Sequence, residues 1–520
     1  MLIWFAGAAG VLLGFRAARA RRGGWVVASA VVLVVTVAGA VALPGVGGYI
    51  GGAALMLLVM VPLFGYRLAF RYTLKQDYAK ARRLAWWLRW LHPGDGWLEW
   101  PHLLAALESR DPDTIAATLA DMQGRNASRT GIGRLAAVLL YRMSAEWEAL
   151  RGWLETDLAP AELRRDPNMV GLYLRAHGEL GDPNGLLDAY ERLSAATEGQ
   201  ALWVYRNMCR LMAFAFCGRR ELVERLFAGP LDLYPQPVQR LWLATADMAA
   251  GRVEEARAEL EAIRDDCDPL TAAGIDHRLA HPLPIADDAL TEQSQRALLR
   301  IETGLGHDER YGGRVAKVRR TAYATYTLIV LNLAIFVLEM ARGGSTNIDT
   351  LFRLGALHPT TVAHGEWWRV LTGLFLHYGP VHLSMNLLAL LVLGPFLEFA
   401  VGWWRYTLAY LVSGVGSMLA IVLLALAGQY PDTIVVGASG SIMGLVGATA
   451  AVHLRGWLRE HAPVASRRLL FVAFVIAFQV VFDLATPEVS FLAHFGGVVI
   501  GFVVASLMRH HVSGRSTSNG

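Results

Sequence analysis

Ser439 is the residue whose sequence surroundings first suggest chemistry. It lies in the stretch VVGASGSIMGLVG, residues 435–447, where an apolar segment begins. A serine hydroxyl becomes a nucleophile when a neighbouring base removes its proton. Gly440, Gly444 and Gly447, however, repeat at i, i+4 and i+7, which also makes a smooth helix face that another helix can approach closely. Packing and nucleophilic attack are therefore both open interpretations of this stretch.

The candidate base is His494, in the sequence LAHFGGVVIG near the C-terminus. Ala493, Gly497 and Gly501 repeat at i, i+4 and i+8 and form a second smooth stripe beside it. An ionisable group inside an apolar span is costly, so it indicates function by default. If the two stripes pack against each other, the imidazole comes within reach of Ser439 and can act as its general base.

The serine and the histidine are also predicted at the same depth. We count back from the arginines that end the two segments, Arg455 and Arg509. At about 1.5 Å per residue, Ser439 lies about 24 Å and His494 about 22 Å above that boundary. Both side chains are therefore expected somewhat below the outer face of a membrane.

Donors for a developing oxyanion occur in the motif HLSMN, which places His382 and Asn386 at i and i+4 on one helix face. The backbone N–H of Ser439, at the positive end of a helix dipole, is a third candidate donor. For His382 and Asn386 alone, a hydrogen bond that merely joins two helices explains the motif equally well. Four polar groups converging on one level favour a catalytic site.

The composition places these groups in a membrane. Of 520 residues, 54% are hydrophobic and only 18% are charged, which is too apolar for an ordinary soluble protein. The net charge of +4 comes without a basic stripe interleaved with aromatic residues, so nucleic acid is not an expected partner. The three cysteines suggest neither a disulfide framework nor a zinc site.

The apolar runs predict nine membrane spans in two groups. Leu2–Phe15 is short and lacks a basic leader and a cleavage site, so a membrane helix is preferred to a signal peptide. The other predicted spans are Trp25–Leu43, Val46–Tyr66, Tyr323–Met340, Val381–Ala400, Tyr406–Ala427, Ser439–Leu454, Leu469–Leu484 and Phe491–Met508. Arginine and lysine clusters flank alternate ends, which predicts a cytoplasmic middle segment and an active site that opens to the outer side.

The middle segment, residues 67–311, carries turn signals that recur every 34 to 36 residues, a period typical of stacked helical hairpins. The stretch TADMAAGRVEEARAELEAI resembles a tetratricopeptide repeat, and an irregular helical domain is the alternative. Four domains are thus predicted: membrane helices in 1–66, the cytoplasmic helical domain in 67–311, a membrane core in 312–510 and a disordered tail in 511–520.

Together these motifs make the region from about 321 to 509 resemble a rhomboid intramembrane serine protease. Ser439 in GASG matches the family's nucleophile motif, and His494 in AHFGG matches its base motif. The resemblance implies a six-helix core, a Ser–His dyad, and His382, Asn386 and the Ser439 N–H as oxyanion donors. It implies supporting roles for Gly437, Gly440, Gly497, Gly501, Trp368, Arg369, His377 and Glu398.

The sequence departs from the family pattern at Met443, where an aromatic ring often stacks on the catalytic histidine. A thioether can pack against an imidazole, so a looser orientation of His494 is expected. An acidic third member is not evident. Asp432 precedes the serine in a loop, and Asp483 lies near the outer end of the fifth core span, so these two are the candidates for a carboxylate that orients the histidine beyond the implied dyad.

The sequence therefore predicts an all-α, polytopic membrane endopeptidase that cleaves transmembrane or membrane-adjacent segments without metal or cofactor. Expected partners are transmembrane substrates, the lipid bilayer and a cytoplasmic protein bound by the helical domain. The expected location is the bacterial cytoplasmic membrane. The alternative is a non-proteolytic adaptor that binds transmembrane helices. A transporter is disfavoured because the core shows no repeated broken helices.

Overall fold

The computed structural model describes residues 2–19, 23–43, 46–91, 98–126, 131–164, 166–197, 203–283, 289–312, 321–485 and 490–508. Within these ranges the regular structure is helical, apart from one isolated antiparallel bridge between Leu357 and Val435. The predicted all-α, multi-pass class is therefore confirmed. The chain divides into two compact units, Met1–Ile301 and Glu302–Gly520.

The first unit begins with apolar helices: α1 (Leu2–Arg19), α2 (Gly23–Ala42), α3 (Gly47–Leu55) and α4 (Val61–Leu74). A single π turn, Met56–Met60, joins α3 and α4 into one continuous helix. The predicted domain boundary after Tyr66 falls inside α4, because the helix continues for two turns beyond the apolar run.

Helical hairpins make up the rest of the first unit. The helices are α5 (Tyr78–Leu91), α6 (Trp100–Ser109), α7 (Pro112–Asn126), α8 (Gly131–Met143), α9 (Trp147–Thr156), α10 (Pro160–Leu163), α11 (Pro167–Glu179), α12 (Pro183–Leu193), α13 (Trp203–Phe216), α14 (Arg220–Ala228), α15 (Gln236–Ala249), α16 (Val253–Ile263) and α17 (Pro269–Ala280), with 3-10 turns at Ser194–Thr197 and Arg264–Asp266.

The recurring turn signals coincide with the hairpin turns. Asp182, for example, separates α11 from α12 and accepts a hydrogen bond of 2.8 Å from the backbone N–H of Gly185. Each of six turns contains one residue at positive φ, which reverses the chain within three residues. These residues are Gln76, Arg110, Ala145, Gly181, Gly218 and Gly251. The six hairpins thus share one turn geometry, and their membership of the tetratricopeptide class stays a prediction.

Helix α18 (Glu292–Tyr311) crosses the boundary between the two units in the sequence. The second unit continues with α19 (Tyr323–Ala341), α20 (Ile348–Leu354), α21 (Pro359–Ala363), α22 (Arg369–Thr372), α23 (Gly379–Val401), α24 (Trp403–Leu426), α25 (Ser439–Glu460), α26 (Pro463–Ala485) and α27 (Phe491–Leu507).

Six of the described helices are long and apolar enough to cross a membrane. They are Gly23–Ala42, Gly47–Leu74, Tyr323–Ala341, Gly379–Val401, Trp403–Leu426 and Pro463–Leu484, and Phe491–Leu507 is a shorter apolar helix. The chain is therefore a multi-pass membrane protein. The remaining spans predicted from the sequence, Leu2–Phe15 and Ser439–Leu454, lie on helices that fall outside this set and stay predictions.

Helix α25 is the central helix of the second unit. It packs against α23, α24, α26 and α27, and an unbroken run from Gly440 to His453 is buried. A helix surrounded by protein can carry Ser, Thr and His side chains because neighbouring helices, not lipid, satisfy them. This explains how α25 can be less apolar than the six spanning helices.

Candidate functional site

Ser439 is the first residue of α25, at the end of a loop that is fixed by backbone hydrogen bonds. The N–H of Leu357 donates to Val435 at 3.1 Å, and the N–H of Val435 donates back at 2.9 Å. The N–H of Gly437 donates to the carbonyl of Gly373 at 2.9 Å. The segment between α20 and α23, which contains Leu357 and Gly373, therefore anchors the loop that carries the serine.

Gly437 brings His382 next to the serine loop. Its φ of +126° suits glycine, and a Cβ there would lie 2.9 Å from His382 Nε2. The same point is 3.7 Å from Ser439 Oγ. The imidazole of His382 and the hydroxyl of Ser439 thus flank Gly437, which leaves no room for a larger residue.

The two glycine stripes lie against each other where α25 meets α27. A Cβ on Gly497 would overlap the carbonyl oxygen of Gly440, and a Cβ on Gly501 would overlap that of Gly444. Close backbone approach of this kind is the structural use of small residues in membrane helices. The contact brings the first turn of α25, which carries Ser439, beside the first turn of α27.

His494 lies in that first turn of α27 and is buried. Its Nδ1 lies 2.8 Å from Oδ2 of Asp483 on α26, whose side chain is only 1% exposed. Gln479 Nε2 donates to the other carboxylate oxygen, Oδ1, at 2.7 Å and lies 3.2 Å from His494 Nδ1. The ring nitrogen that remains for another partner is Nε2.

The described residues contain no hydrogen bond between Ser439 Oγ and the His494 ring. The serine is partly exposed, whereas the histidine is buried beside it on the facing helix. In enzymes without substrate, catalytic hydrogen bonds are often long and tighten in the complex. The structure therefore brings the two helix ends together and fixes the ring through Asp483.

Asn386 and His382 lie on α23, which packs against α25. Asn386 is 6% exposed, and among the described residues its Nδ2 amide has no hydrogen-bond partner. Buried amide donors are rarely left unpaired, which makes this group a candidate donor for an incoming oxygen. The centroids of the His382 and His377 rings are 5.3 Å apart, in an edge-to-face arrangement.

Two of the predicted supporting residues, Arg369 and Glu398, contact neighbouring segments of the second unit. Arg369 donates to the carbonyls of Phe352 at 2.6 Å and Ala356 at 3.1 Å, and it lies between the rings of Phe352 and Trp368. Glu398 accepts hydrogen bonds from the first turn of α19, including the N–H of Thr325 at 2.8 Å. These contacts fix the segment from α20 to α22 and the first turn of α19.

Met443 packs in an apolar cluster with Val446, Ala450 and Val472. The polar contact of His494 is with Asp483, which the sequence alone could not single out from Asp432. Gln479 and Asp483 are four residues apart and share a face of α26, and a carboxylate in an apolar span is itself a signal of function. Asp432, the other candidate acid, pairs with Thr360 and lies 3.5 Å from His358.

In the part of the chain that the structure describes, no group of three or more His, Cys, Asp or Glu side chains is arranged to hold a metal ion. The roles of nucleophile, base and hydrogen-bond donor expected of the groups around Ser439 stay predictions.

Residues 364–511 match the Rhomboid domain. Rhomboid protease GluP of Bacillus subtilis (strain 168) is 34% identical over 35% of this chain, an alignment that spans 34% of that protein. RHOMBOID-like protein 6, mitochondrial, of Arabidopsis thaliana is 32% identical, and the alignment covers 36% of this chain and 69% of that protein. The putative rhomboid protease YdcA of Bacillus subtilis is 33% identical, with 28% and 69% covered. Because two relatives above 30% identity are each covered over more than two thirds of their length, the chain belongs to the rhomboid family.

Proposed function

We propose that the protein is an intramembrane serine endopeptidase that cleaves transmembrane or membrane-adjacent segments of other membrane proteins. The observation that carries the proposal is the facing pair of helix ends, with Ser439 on α25 and His494 on α27, held together by the glycine contacts. Relatives whose printed names include rhomboid proteases give the same reaction at the level of the family.

In the proposed reaction, Nε2 of His494 takes the proton of Ser439 Oγ as the oxygen attacks the scissile carbonyl. The tetrahedral oxyanion accepts hydrogen bonds from the Asn386 amide, the His382 ring and the Ser439 N–H. The protonated His494 then gives its proton to the leaving amine, which leaves an ester on Ser439. Water attacks this ester with His494 again as base, and the second fragment leaves as a carboxylic acid.

The proposed substrate is a helix that can open. A helix engages its carbonyls in its own hydrogen bonds, so segments that carry glycine or proline near the cleavage position are favoured. The charge pattern of the loops supports an active site that opens to the outer side and a cytoplasmic helical domain that recruits a protein partner. A bacterial cytoplasmic membrane is the proposed location.

The experiment is cleavage of a model transmembrane substrate by the full-length protein in liposomes. Ser439→Ala and His494→Ala should abolish cleavage, and labelling by a fluorophosphonate probe should disappear in Ser439→Ala. The matched control is Ser384→Ala, which removes an exposed hydroxyl from α23 in the same core and should leave both readouts unchanged. Cleavage or labelling that survives in Ser439→Ala would refute the proposal. If wild type neither cleaves several substrates nor takes up the probe, the adaptor function is the better account.

A further inference from the structure

Asp483 is a carboxylate buried in a membrane-spanning helix. Its side chain is 1% exposed on α26, where the surrounding positions in the sequence are apolar apart from Gln479. A charged or polar group at this position is costly unless it is paired, so its partners indicate what it is for. Both carboxylate oxygens are engaged: Oδ2 by His494 Nδ1 at 2.8 Å and Oδ1 by Gln479 Nε2 at 2.7 Å.

The geometry points to Asp483 as a positioning residue that completes a Ser439–His494–Asp483 triad, with Gln479 holding the carboxylate. This inference rests on the proposed proteolytic function and deepens it. A carboxylate is an acceptor, so its contact places the proton of neutral His494 on Nδ1. Nε2 is then the unprotonated nitrogen, which is the tautomer that a base acting on Ser439 requires.

The same contact serves the second half of the proton transfer. When His494 takes the serine proton, the ring becomes an imidazolium, and the carboxylate beside Nδ1 stabilises this charge without accepting the proton. In a buried site of low polarity such a partner has a larger effect than in water. Gln479, one helical turn before Asp483, donates to Oδ1 and so keeps Oδ2 directed at the ring.

The pairing also replaces a contact that this chain lacks. Met443 occupies the position where the family often has an aromatic ring that stacks on the histidine. Its side chain packs with Val446, Ala450 and Val472. The histidine is therefore oriented from α26 through hydrogen bonds. A purely structural link between α26 and α27 is the competing account, and the test must separate the two.

The test compares Asp483→Asn with wild type in the liposome assay. The amide is similar in size but can donate to Nδ1 and so favours the wrong tautomer. We expect kcat to fall by about 10²- to 10⁴-fold with KM changed by less than about threefold. Gln479→Leu should lower kcat by a smaller factor. The matched control is Asp432→Asn, the same substitution at an outer aspartate that contacts His358 and Thr360, with kcat within about threefold of wild type.

A second measurement keeps the inference testable should Asp483→Asn fold poorly. ¹⁵N NMR of histidine-labelled Ser439→Ala protein should show His494 as the Nδ1–H tautomer, and an Nε2–H tautomer would overturn the inference. Folded Asp483→Asn protein with undiminished kcat would also overturn it. If Ser439→Ala and His494→Ala are inactive while Asp483→Asn is fully active, the dyad stands and the triad fails. Activity in Ser439→Ala would instead refute the proposed function itself.

Discussion

Two buried carboxylates, one in each unit, are held by different kinds of partner. Glu179 on α11 lies between two arginines: Arg175 Nε is 3.0 Å from Oε1, and Arg278 from α17 pairs with Oε2. Asp483 on α26 lies instead against an imidazole and an amide. Both side chains are almost completely buried, so the difference between the two sites is the chemistry of the partner.

The arginine site keeps a permanent charge. Guanidinium groups stay protonated at all accessible pH values, so Glu179 can be neutralised only at the expense of both ion pairs. Burial alone would raise the pKa of Glu179, but the charges of Arg278 and Arg175 outweigh it and lower that pKa. Arg175 also lies over the rings of Trp147 and Trp242, at 4.9 and 5.1 Å. This arrangement joins four helices, α9, α11, α15 and α17, around a permanent charge.

The histidine site can exchange a proton. An imidazole, unlike a guanidinium, can act both as a base and as an acid, so the partner of Asp483 can take up and return a proton in the proposed reaction. Burial of a carboxylate is therefore not by itself evidence for catalysis. A carboxylate between permanent cations has a structural role, and the positioning role proposed for Asp483 requires a partner ring that can exchange a proton.

The largest effect is expected from Glu179→Ala, which leaves two buried guanidinium groups without their counter-ion. Breaking a buried ion pair in this way costs about 3–5 kcal/mol. Hydrogen exchange measured by mass spectrometry on the full-length protein should show the loss in α11 and α17. The fluorophosphonate labelling rate of Ser439, measured on the same variant, shows whether the change at Glu179 reaches the site of Ser439 and Asp483.

Protection in α11 and α17 that stays at the wild-type level would show that the arginines do not depend on Glu179. Such a result would remove the contrast between the two sites, because Glu179 would then be an incidental buried acid.

The next effect tests the contact between α25 and α27, which is made by backbone atoms and not by charged side chains. Gly497→Ala places a Cβ against the carbonyl of Gly440, and overpacking of this kind costs about 1–3 kcal/mol. A shift of the helix by about 1 Å can lower the reaction rate about 10²-fold. Thermal unfolding in detergent and the cleavage assay measure the two consequences.

Gly496→Ala is the matched control on the same turn of α27. The nearest atom to a Cβ there is Cα of Ser417 at 3.8 Å, which is ordinary contact distance. Both variants gain the same helix propensity of about 1 kcal/mol, so the difference between them isolates the clash. Equal stability and activity in the two variants would argue against close packing of α25 on α27.

The sequence was sufficient to predict that the helix ends carrying Ser439 and His494 meet, because small residues at helical spacing show which helix faces can approach. The depth of the two side chains in a membrane stays a prediction. The hairpin turns could also be predicted, because Asp182 and the equivalent residues of the other turns mark the starts of helices. The residue before each of them adopts a left-handed conformation.

The partner of His494 could not be predicted from the sequence. Helix α26 is exposed over most of its surface, and its apolar residues surround it on all sides, so no periodicity shows which face meets the protein. Whether Asp483 points toward α27 or away from it depends on the rotation of α26, which only tertiary packing fixes. The direction of the Met443 side chain could not be predicted either, because it depends on the rotation of α25.

Acid should weaken the Glu179 site. Because the pKa of Glu179 in the folded protein is lowered from its ordinary 4.5, its contribution to stability is complete above that pH and is lost as the pH falls through the folded pKa. For one proton the slope is at most about 1.4 kcal/mol per pH unit. Hydrogen exchange in α11, corrected for the intrinsic effect of pH, should show this loss in wild type. The component should be absent from Glu179→Gln, and an identical acid response in the two proteins would assign it to other groups.

The smallest effect is expected at an exposed pair of the same chemical type. Glu259 on α16 pairs with Arg240 on α15, where both side chains are about 40% exposed. Water and salt screen such pairs, so Glu259→Ala should cost only about 0.2–1 kcal/mol in the exchange experiment used for Glu179→Ala. The two variants remove the same side chain from the same kind of helical hairpin and the same kind of arginine partner. If their costs were equal, pairing alone would determine stability. A difference of several kcal/mol would show instead that burial decides how much an ion pair contributes, and the positioning role proposed for Asp483 depends on the same effect of burial on its contact with His494.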